Sequence, residues 1–308
     1  MTALGGPEVL ELQDVERPEL IPTEVLVRIT AAGINPVDWK TRQHGGYLEA
    51  TGGPPMILGW DIAGVVEEVD PDVTRFAPGD RVFGMPWFPR VAGGYAEYAT
   101  SPARQLARTP DALGDEEAGG LPLAGLTAWQ ALVDVAQVGE GTRVLIHAAA
   151  GGVGHLAVQI AKARGAYVIG TARAAKHDFL RELGVDEPVD YTTTPWEQVL
   201  SDVDVVLDLV AGEDYGLRSL QTLRADGLWI CIPADVPDAV AVAAREQSKR
   251  AISFLVEPDY AGLEALAALT DEGKLRVVID ETFPLAEAAE AHRRLEDGRA
   301  RGKIVLIP

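Results

Sequence analysis

The chain has a single cysteine, Cys231, in 308 residues, so it can form no internal disulfide and no cysteine-rich zinc site. That cysteine lies in the apolar run Leu228-Trp229-Ile230-Cys231-Ile232, the setting of a small buried thiol in a core strand rather than a reactive one. No apolar stretch approaches the ~20 residues needed to cross a bilayer, and the N-terminus lacks the basic and apolar regions of a signal peptide. A cytoplasmic protein with no membrane partner is the expectation. Basic residues are scarce, with 27 Lys and Arg against 47 Asp and Glu and a net charge of −20. A surface of that sign repels nucleic acid and anionic membranes, which argues against a backbone-binding role for DNA or RNA. Polar low-complexity tracts are also missing. With 47% apolar residues, the chain is long enough to fold into two domains.

What is present centres on Arg143-Val144-Leu145-Ile146-His147-Ala148-Ala149-Ala150-Gly151-Gly152-Val153-Gly154, followed by a helical pattern over residues 155–164. An apolar, β-branched run that breaks into glycines and reopens as a helix turns free N–H groups and a helix N-terminus toward one point. Gly151 and Gly152 permit close approach of a phosphate, and Gly154 lets the helix lie tight on the strand. Ala149 stands where the six-residue fingerprint usually opens with glycine. Alone, such a turn is also an ordinary tight turn; its setting decides, because residues 166–171 read as a second buried strand at the βαβ distance.

About 20 residues after the glycines, a carboxylate would accept bonds from the ribose of NAD and repel the extra phosphate of NADP. None stands there. The segment Thr171-Ala172-Arg173-Ala174-Ala175-Lys176 offers a hydroxyl, a guanidinium and an ammonium, groups suited to a 2′-phosphate. The competing use of these cations is a solvated start to a surface helix.

From residue 24 to about 107 the pattern is short and β-like, punctuated by Gly52-Gly53-Pro54-Pro55 and Pro78-Gly79-Asp80. Residues 115–137 look helical. Strands then alternate with helices, at 144–147, 167–170, 203–209, 228–232 and 252–256, which predicts a doubly wound parallel sheet. In the tail, residues 260–272 and 285–295 have helical periodicity, and 277–279 and 304–307 read as strands. These last strands are expected to return to the β-rich domain, giving an α/β chain with domains 1–110 plus 256–308 and 111–255.

Further segments recur in order: Ala31-Ala32-Gly33-Ile34-Asn35-Pro36-Val37-Asp38, Gly59-Trp60-Asp61-Ile62-Ala63-Gly64, Gly79-Asp80-Arg81-Val82, Gly93-Gly94-Tyr95-Ala96-Glu97-Tyr98, Leu121-Pro122-Leu123-Ala124-Gly125-Leu126-Thr127-Ala128 and Gly302-Lys303-Ile304-Val305-Leu306. With the glycine turn they cover nearly the whole chain, which resembles the zinc-independent quinone oxidoreductase branch of the medium-chain dehydrogenase/reductase superfamily. The resemblance implies a GroES-like β-rich substrate domain and a Rossmann domain, with NADPH in the cleft between them. It places Thr127 on the nicotinamide side and Ala150, Gly151, Gly152 and Val153 at the pyrophosphate. Thr171, Arg173, Lys176 and Tyr191 fall toward the 2′-phosphate end, and Leu209, Val210, Ile232 and Pro233 line the cofactor. Asn35 would lie near the nicotinamide ribose and the substrate.

Zinc-dependent relatives carry cysteine where residues 35–38 stand here and a His-Glu pair where Trp60 and Asp61 stand. Their cysteine-bearing lobe is reduced to Met85-Pro86-Trp87-Phe88-Pro89-Arg90. The resemblance therefore implies no metal. Without a Lewis acid, the expected chemistry is hydride reduction of a quinone or an α,β-unsaturated carbonyl, whose developing charge delocalises into a carbonyl. Relatives also open with a strand before residues 5–12; here only four residues precede, and the expectation is a strand shortened or lost, or a misassigned start codon.

Tyr47, after the Asn-Pro-x-Asp motif, is the candidate to hydrogen-bond the oxyanion or donate the proton; a surface anchor in a glycine-rich loop is its other use. Asn35 and Asp38 could equally fix a turn beside Pro36. Asp61 reads as a buried hydrogen-bond partner, His44 as an exposed loop residue, and His147 as a strand residue satisfied locally. Trp60, Trp87 and Phe88 either wall an aromatic acceptor or fill core. Lys303 reads as a phosphate contact or a solvated stem at a strand start. The expected partners are a small quinone or enone and a second copy of the chain, paired through an edge strand at 251–256. Two other functions fit the same residues: an enoyl-thioester reductase, and an NADPH-binding sensor or structural protein without useful turnover.

Overall fold

A strand buried on both faces reads as a nearly continuous apolar run. The first strand does so: β1 (Glu24–Ile34) is exposed only at Arg28. The computed structural model describes residues 1–308, the side chain of Leu48 excepted. After β1 come α1 (Pro36–His44), α2 (Leu48–Thr51), β2 (Ile62–Val69), β3 (Arg81–Gly84), β4 (Tyr98–Pro102), β5 (Leu106–Arg108), α3 (Asp115–Gly120) and α4 (Pro122–Trp129). The alternating region follows as β6 (Arg143–Ile146), α5 (Gly154–Ala163), β7 (Tyr167–Ala172), α6 (His177–Glu182), β8 (Glu187–Asp190), α7 (Trp196–Val199), β9 (Val203–Asp208), α8 (Glu213–Thr222), β10 (Leu223–Cys231), α9 (Asp238–Glu246) and β11 (Arg250–Ser253). The tail is α10 (Tyr260–Asp271), β12 (Ile279–Pro284), α11 (Ala288–Glu296) and β13 (Lys303–Ile307).

The chain divides into two units, Met1–Leu126 with Glu257–Pro308, and Thr127–Val256. In the first, the strand order is β12-β13-β1-β2-β3-β5, with β4 also on β1. The length of β1 makes this possible: Glu24 to Arg28 pair with β4, and Ala32 to Ile34 pair antiparallel with β13. The return of the tail strands to the β-rich unit is thus observed. Val25, Val27, Ile29, Ile62, Val82 and Leu306 form the middle of its apolar core.

The second unit is a six-stranded, wholly parallel sheet in the order β11-β10-β9-β6-β7-β8. The chain starts in the middle at β6, winds outward through β7 and β8, then crosses to β9 and winds the other way. That is a Rossmann order, and its switch point, where ligands bind in open α/β sheets, lies beyond the carboxyl ends of β6 and β9. Leu145, Ile169, Val206 and Trp229 are fully buried in its core.

Several boundaries differ from the sequence reading. The long helix at 115–137 is broken between α3 and α4 and ends in a π-helical turn, Gln130–Val135. β6 stops before His147 because Ala148 takes a left-handed φ of 50°. β9 stops at Asp208, whose Oδ1 accepts the N–H groups of Val210 (2.8 Å) and Ala211 (2.9 Å) and so folds the chain back. β11 begins at Arg250 and ends at Ser253, earlier than expected, yet it is an edge strand. β12 starts only at Ile279; Val278 instead gives its carbonyl to the Lys303 N–H (2.8 Å). The unanticipated β8 contains Pro188, tolerated because β8 is the other edge. Among the described residues, no helix is long and apolar enough to cross a membrane.

Candidate active site

The glycine turn is built from backbone. Beyond β6, the Ala149 N–H reaches the Thr171 carbonyl (3.1 Å), Gly151 N–H closes on Ala148 O (2.9 Å), and His155 N–H bonds Gly151 O (3.0 Å) to launch α5. A Cβ on Gly154 would stand 2.3 Å from Ala148 O and 2.7 Å from Ala149 Cα, so only glycine lets the helix start against the turn. Ala150 is buried, while Gly151, Gly152 and Val153 remain half-exposed at the helix N-terminus; the Gly151 and His155 N–H groups are already bonded, which leaves those of Gly152 and Val153 for a ligand. This cradle fits a pyrophosphate.

Beneath it, His147 is fully buried, with Nδ1 3.1 Å from Thr171 Oγ1 and Nε2 3.0 Å from Ser219 Oγ. Burial lowers its pKa to about 3, so the ring is neutral and one nitrogen accepts. Thr171 is itself buried, with its hydroxyl turned to His147.

Past β7, Arg173 is exposed and its Nε donates to Tyr191 Oη (3.2 Å), while Lys176 is half-buried. Sequence reasoning missed Asp190, a carboxylate at the end of neighbouring β8. Its oxygens are already engaged, accepting from the Thr192 N–H (2.9 Å), the Thr192 hydroxyl (2.7 Å) and the Ala174 N–H (3.2 Å). The Thr192 hydroxyl leads in holding its pKa below the usual carboxylate value. At the β9 and β10 ends, Asp208 fixes the 209–211 bend and also accepts from Trp229 Nε1 (3.2 Å). Ile232 N–H bonds Asp208 O (3.1 Å), and Leu209, Ile232 and Pro233 are half-buried with Val210 exposed. Thr127 is buried within α4.

In the β-rich unit the candidate residues form a buried polar cluster. Asn35 N–H donates to Asp38 Oδ2 (2.7 Å), and Asn35 Nδ2 to Asp61 Oδ2 (2.8 Å). Lys303 Nζ donates to Asn35 Oδ1 and to Ile34 O (3.1 Å), and lies 3.6 Å from Asp61 Oδ2. Asp61 Oδ1 accepts the Leu123 N–H (2.6 Å). Burial raises the carboxyls of Asp38, to about 7, and Asp61 above their ordinary values, and lowers Lys303. Lys303 is therefore neither a solvated stem nor a free cation; it is 2% exposed at the mouth of an all-apolar strand. Tyr47 stacks edge-on against Phe88 at 5.5 Å, and Phe88 against Trp60 at 5.5 Å. Trp60 is core, its Nε1 bonded to Arg90 O (2.6 Å), Trp87 is half-buried, and His44 is the exposed end of α1. Sequence reasoning also missed the buried Tyr95–His292 pair, hydroxyl to Nε2 at 3.1 Å.

Among the described residues, no group of three or more His, Cys, Asp or Glu could hold a metal ion. Asn35 and Asp61 already bond each other and an ammonium, so this donor set does not fit zinc.

Residues 21–111 match the model of the alcohol dehydrogenase GroES-like domain, and 183–306 that of the zinc-binding dehydrogenase family. The 2-haloacrylate reductase of a Burkholderia species is 34% identical over 99% of this chain and 96% of its own. The quinone oxidoreductase structure from Coxiella burnetii superposes with a TM-score of 0.92 at 38% identity, covering 100% of this chain and 97% of that one. The chain belongs to the zinc-independent quinone oxidoreductase branch of the medium-chain dehydrogenase/reductase superfamily. It is an NAD(P)H oxidoreductase with a small-molecule substrate. A mycobacterial protein solved in complex with NADPH is 30% identical with a TM-score of 0.88, over 100% of this chain and 98% of its own.

Proposed function

We propose that this oxidoreductase reduces quinones or α,β-unsaturated carbonyls with NADPH. The observation that carries the coenzyme choice is the end of β7, where Arg173 is held by Tyr191 and the nearby carboxylate, Asp190, has its oxygens engaged by local donors. A steered guanidinium favours a 2′-phosphate over a bare ribose diol, while Asp190, whose oxygens are taken by local donors, keeps its charge and offsets part of that preference. The substrate class is supported by relatives whose names specify a quinone oxidoreductase and a 2-haloacrylate reductase.

In this reading the unit containing β6–β11, expected at 111–255, binds the coenzyme, and the β-rich unit, expected at 1–110 with 256–308, receives the acceptor. Ala150, Gly151, Gly152 and Val153 hold the pyrophosphate, Arg173 and Lys176 with Tyr191 the 2′-phosphate end, and Leu209, Val210, Ile232 and Pro233 the adenosine-to-nicotinamide edge, with Thr127 beside the nicotinamide; Thr171, expected at the phosphate, instead supports the turn from below through His147. The bound coenzyme supplies the hydride. Asn35 orients ribose and acceptor through its amide, and Tyr47, steered by Phe88, offers a phenol that is protonated at neutral pH to the developing oxyanion. Two copies pair through the β11 edge.

The test is an acceptor panel, benzoquinone and a simple alkenone included, run with NADPH and NADH on the wild type and Arg173→Ala. Turnover with NADPH is expected, and Arg173→Ala should lose roughly 10–100-fold in kcat/KM for NADPH while leaving the NADH rate intact. Tight NADPH binding with no turnover across the panel would mark a sensor instead.

A further inference from the structure

We propose that Lys303 and Asp61 are positioning residues that hold the Asn35 amide in a single orientation, an inference that rests on the role given to Asn35 above. An asparagine amide is nearly symmetric in shape, and only its neighbours decide which end is oxygen. Here the neighbours are of opposite kind. Lys303 Nζ donates to Asn35 Oδ1; Asp61 Oδ2, a carboxylate oxygen that also faces Lys303 Nζ at 3.6 Å, accepts from Asn35 Nδ2 at 2.8 Å. Turning the amide over would set NH2 against ammonium and oxygen against carboxylate, losing both bonds. With Asn35 and Lys303 each 2% exposed and Asp61 0%, little water is at hand to compensate.

The charged atoms are anchored in turn by main chain. Ile34 O accepts from Lys303 Nζ (3.1 Å), and the Leu123 N–H at the start of α4 binds Asp61 Oδ1 (2.6 Å). Gly33 makes room for the carboxylate, since a Cβ there would lie 2.7 Å from Asp61 Oδ2. What remains of the amide is one N–H and one lone pair of Asn35, both of fixed direction. A buried ion pair of this kind seldom repays its desolvation in stability, and well-packed neutral replacements often fold as well. Its use here is orientation.

The experiment compares Lys303→Met, the charge-neutral pair Asp61→Asn with Lys303→Met, Asn35→Ala, and the triple variant. In the coenzyme-free full chain, solvent exchange of the Asn35 Nδ2 protons, read by NMR, should quicken at least about tenfold in the pair variant as the network opens. With NADPH and benzoquinone, kcat should fall roughly 10–100-fold in the pair variant while the NADPH KM stays within about twofold. Asn35→Ala should show the same loss, and the triple variant no more, because all act through one amide. Unchanged exchange, or losses that add in the triple variant, would overturn the inference while leaving the reductase reading in place. Full activity in Asn35→Ala would instead remove Asn35 from the proposed function, and the positioning role with it. Should Lys303→Met alone not fold, the neutral pair decides.

Discussion

Replacing Gly154 by alanine measures how closely α5 must approach the turn. The added Cβ would sit 2.3 Å from Ala148 O, 2.7 Å from Ala149 Cα and 2.8 Å from Ala149 C. All three are backbone atoms, so no rotamer change relieves the contact; the turn or the helix has to move by about 1 Å. Overpacking of this kind costs about 1–3 kcal/mol, against which the better helix propensity of alanine returns at most about 1 kcal/mol. A net loss of about 1–2 kcal/mol lowers the melting temperature by roughly 2–8 °C in a chain of this size or smaller. Circular dichroism melts supply that number, and calorimetric titration with NADPH supplies the second readout. Gly151→Ala is the control. Its Cβ would meet only Ala148 O, at 3.2 Å, so the melt should move by less than about 2 °C. Coenzyme affinity should nevertheless fall about tenfold, because the methyl stands where a phosphate would approach. A Gly154→Ala protein that melts and binds NADPH like wild type would refute the argument that close packing at this residue shapes the turn.

Tyr47→Phe keeps the ring against Phe88 and deletes the phenol; kcat should drop about tenfold or more with little change in KM, and an unaltered kcat would place the proton donor elsewhere. Burial, assisted by the Arg218 charge, holds the His147 pKa at about 3, and burial with Arg42 does the same for His292. Folded values below the unfolded value of 6.5 mean that stability from both rings is complete above that pH and is lost as pH falls from 6.5 toward 3, by up to about 1.4 kcal/mol per pH unit for each ring. Asp38, raised by burial to about 7, runs the other way, its contribution fading as pH rises toward 7. The change in urea midpoint on going from pH 7 to pH 5 should therefore be more favourable in His147→Gln than in wild type, since His292 and the raised carboxyls of Asp38 and Asp61 are common to both; equal changes would sink the assignment. Light scattering at micromolar concentration should report a dimer, and charge placed on β11 by Ile252→Lys should shift it toward monomer; a wild-type monomer would end that proposal.

The doubly wound sheet was legible because its strands are short apolar runs alternating with helices, and that alternation admits few topologies. Strand ends were less legible. Asp208 ends β9 through two hydrogen bonds to residues beyond it, and Ala148 ends β6 through a left-handed φ of 50°; neither leaves a mark in the hydrophobic pattern. β8 escaped notice because Pro188 speaks against a strand, and only an edge position, which depends on the order of all six strands, makes it acceptable. Arg173 was visible as a cation in the right place. Its partner Tyr191 followed from resemblance, whereas Asp190, which decides how a carboxylate in that region is used, came into view only when β8 was seen to lie beside β7.

Lys303 shows what a pattern leaves out and what a register restores. Read along the chain, a lysine at the mouth of Ile304-Val305-Leu306 is a solvated stem, because a strand's first residue commonly lies at the surface. Read across the sheet, Ala32 pairs with Leu306, Gly33 with Val305 and Ile34 with Ile304, so the next step outward brings Asn35 opposite Lys303. The expectation that the tail strands return to the β-rich domain already implied some pairing with β1. The missing quantity was a shift of one residue, and a slip of that size would send the lysine to the opposite face and break the amide contact. Alternation of apolar residues could not supply it, since β1 is buried on both faces near Ile34 and either register hides its side chains. The polar residues carry the discrimination: only the observed register gives Asn35 Oδ1 a donor, Asp61 a counter-charge and Lys303 an acceptor at once. Satisfying three buried polar groups together is thus a constraint on strand register as strict as any apolar match, and it acts at the residue on which the proposed chemistry depends.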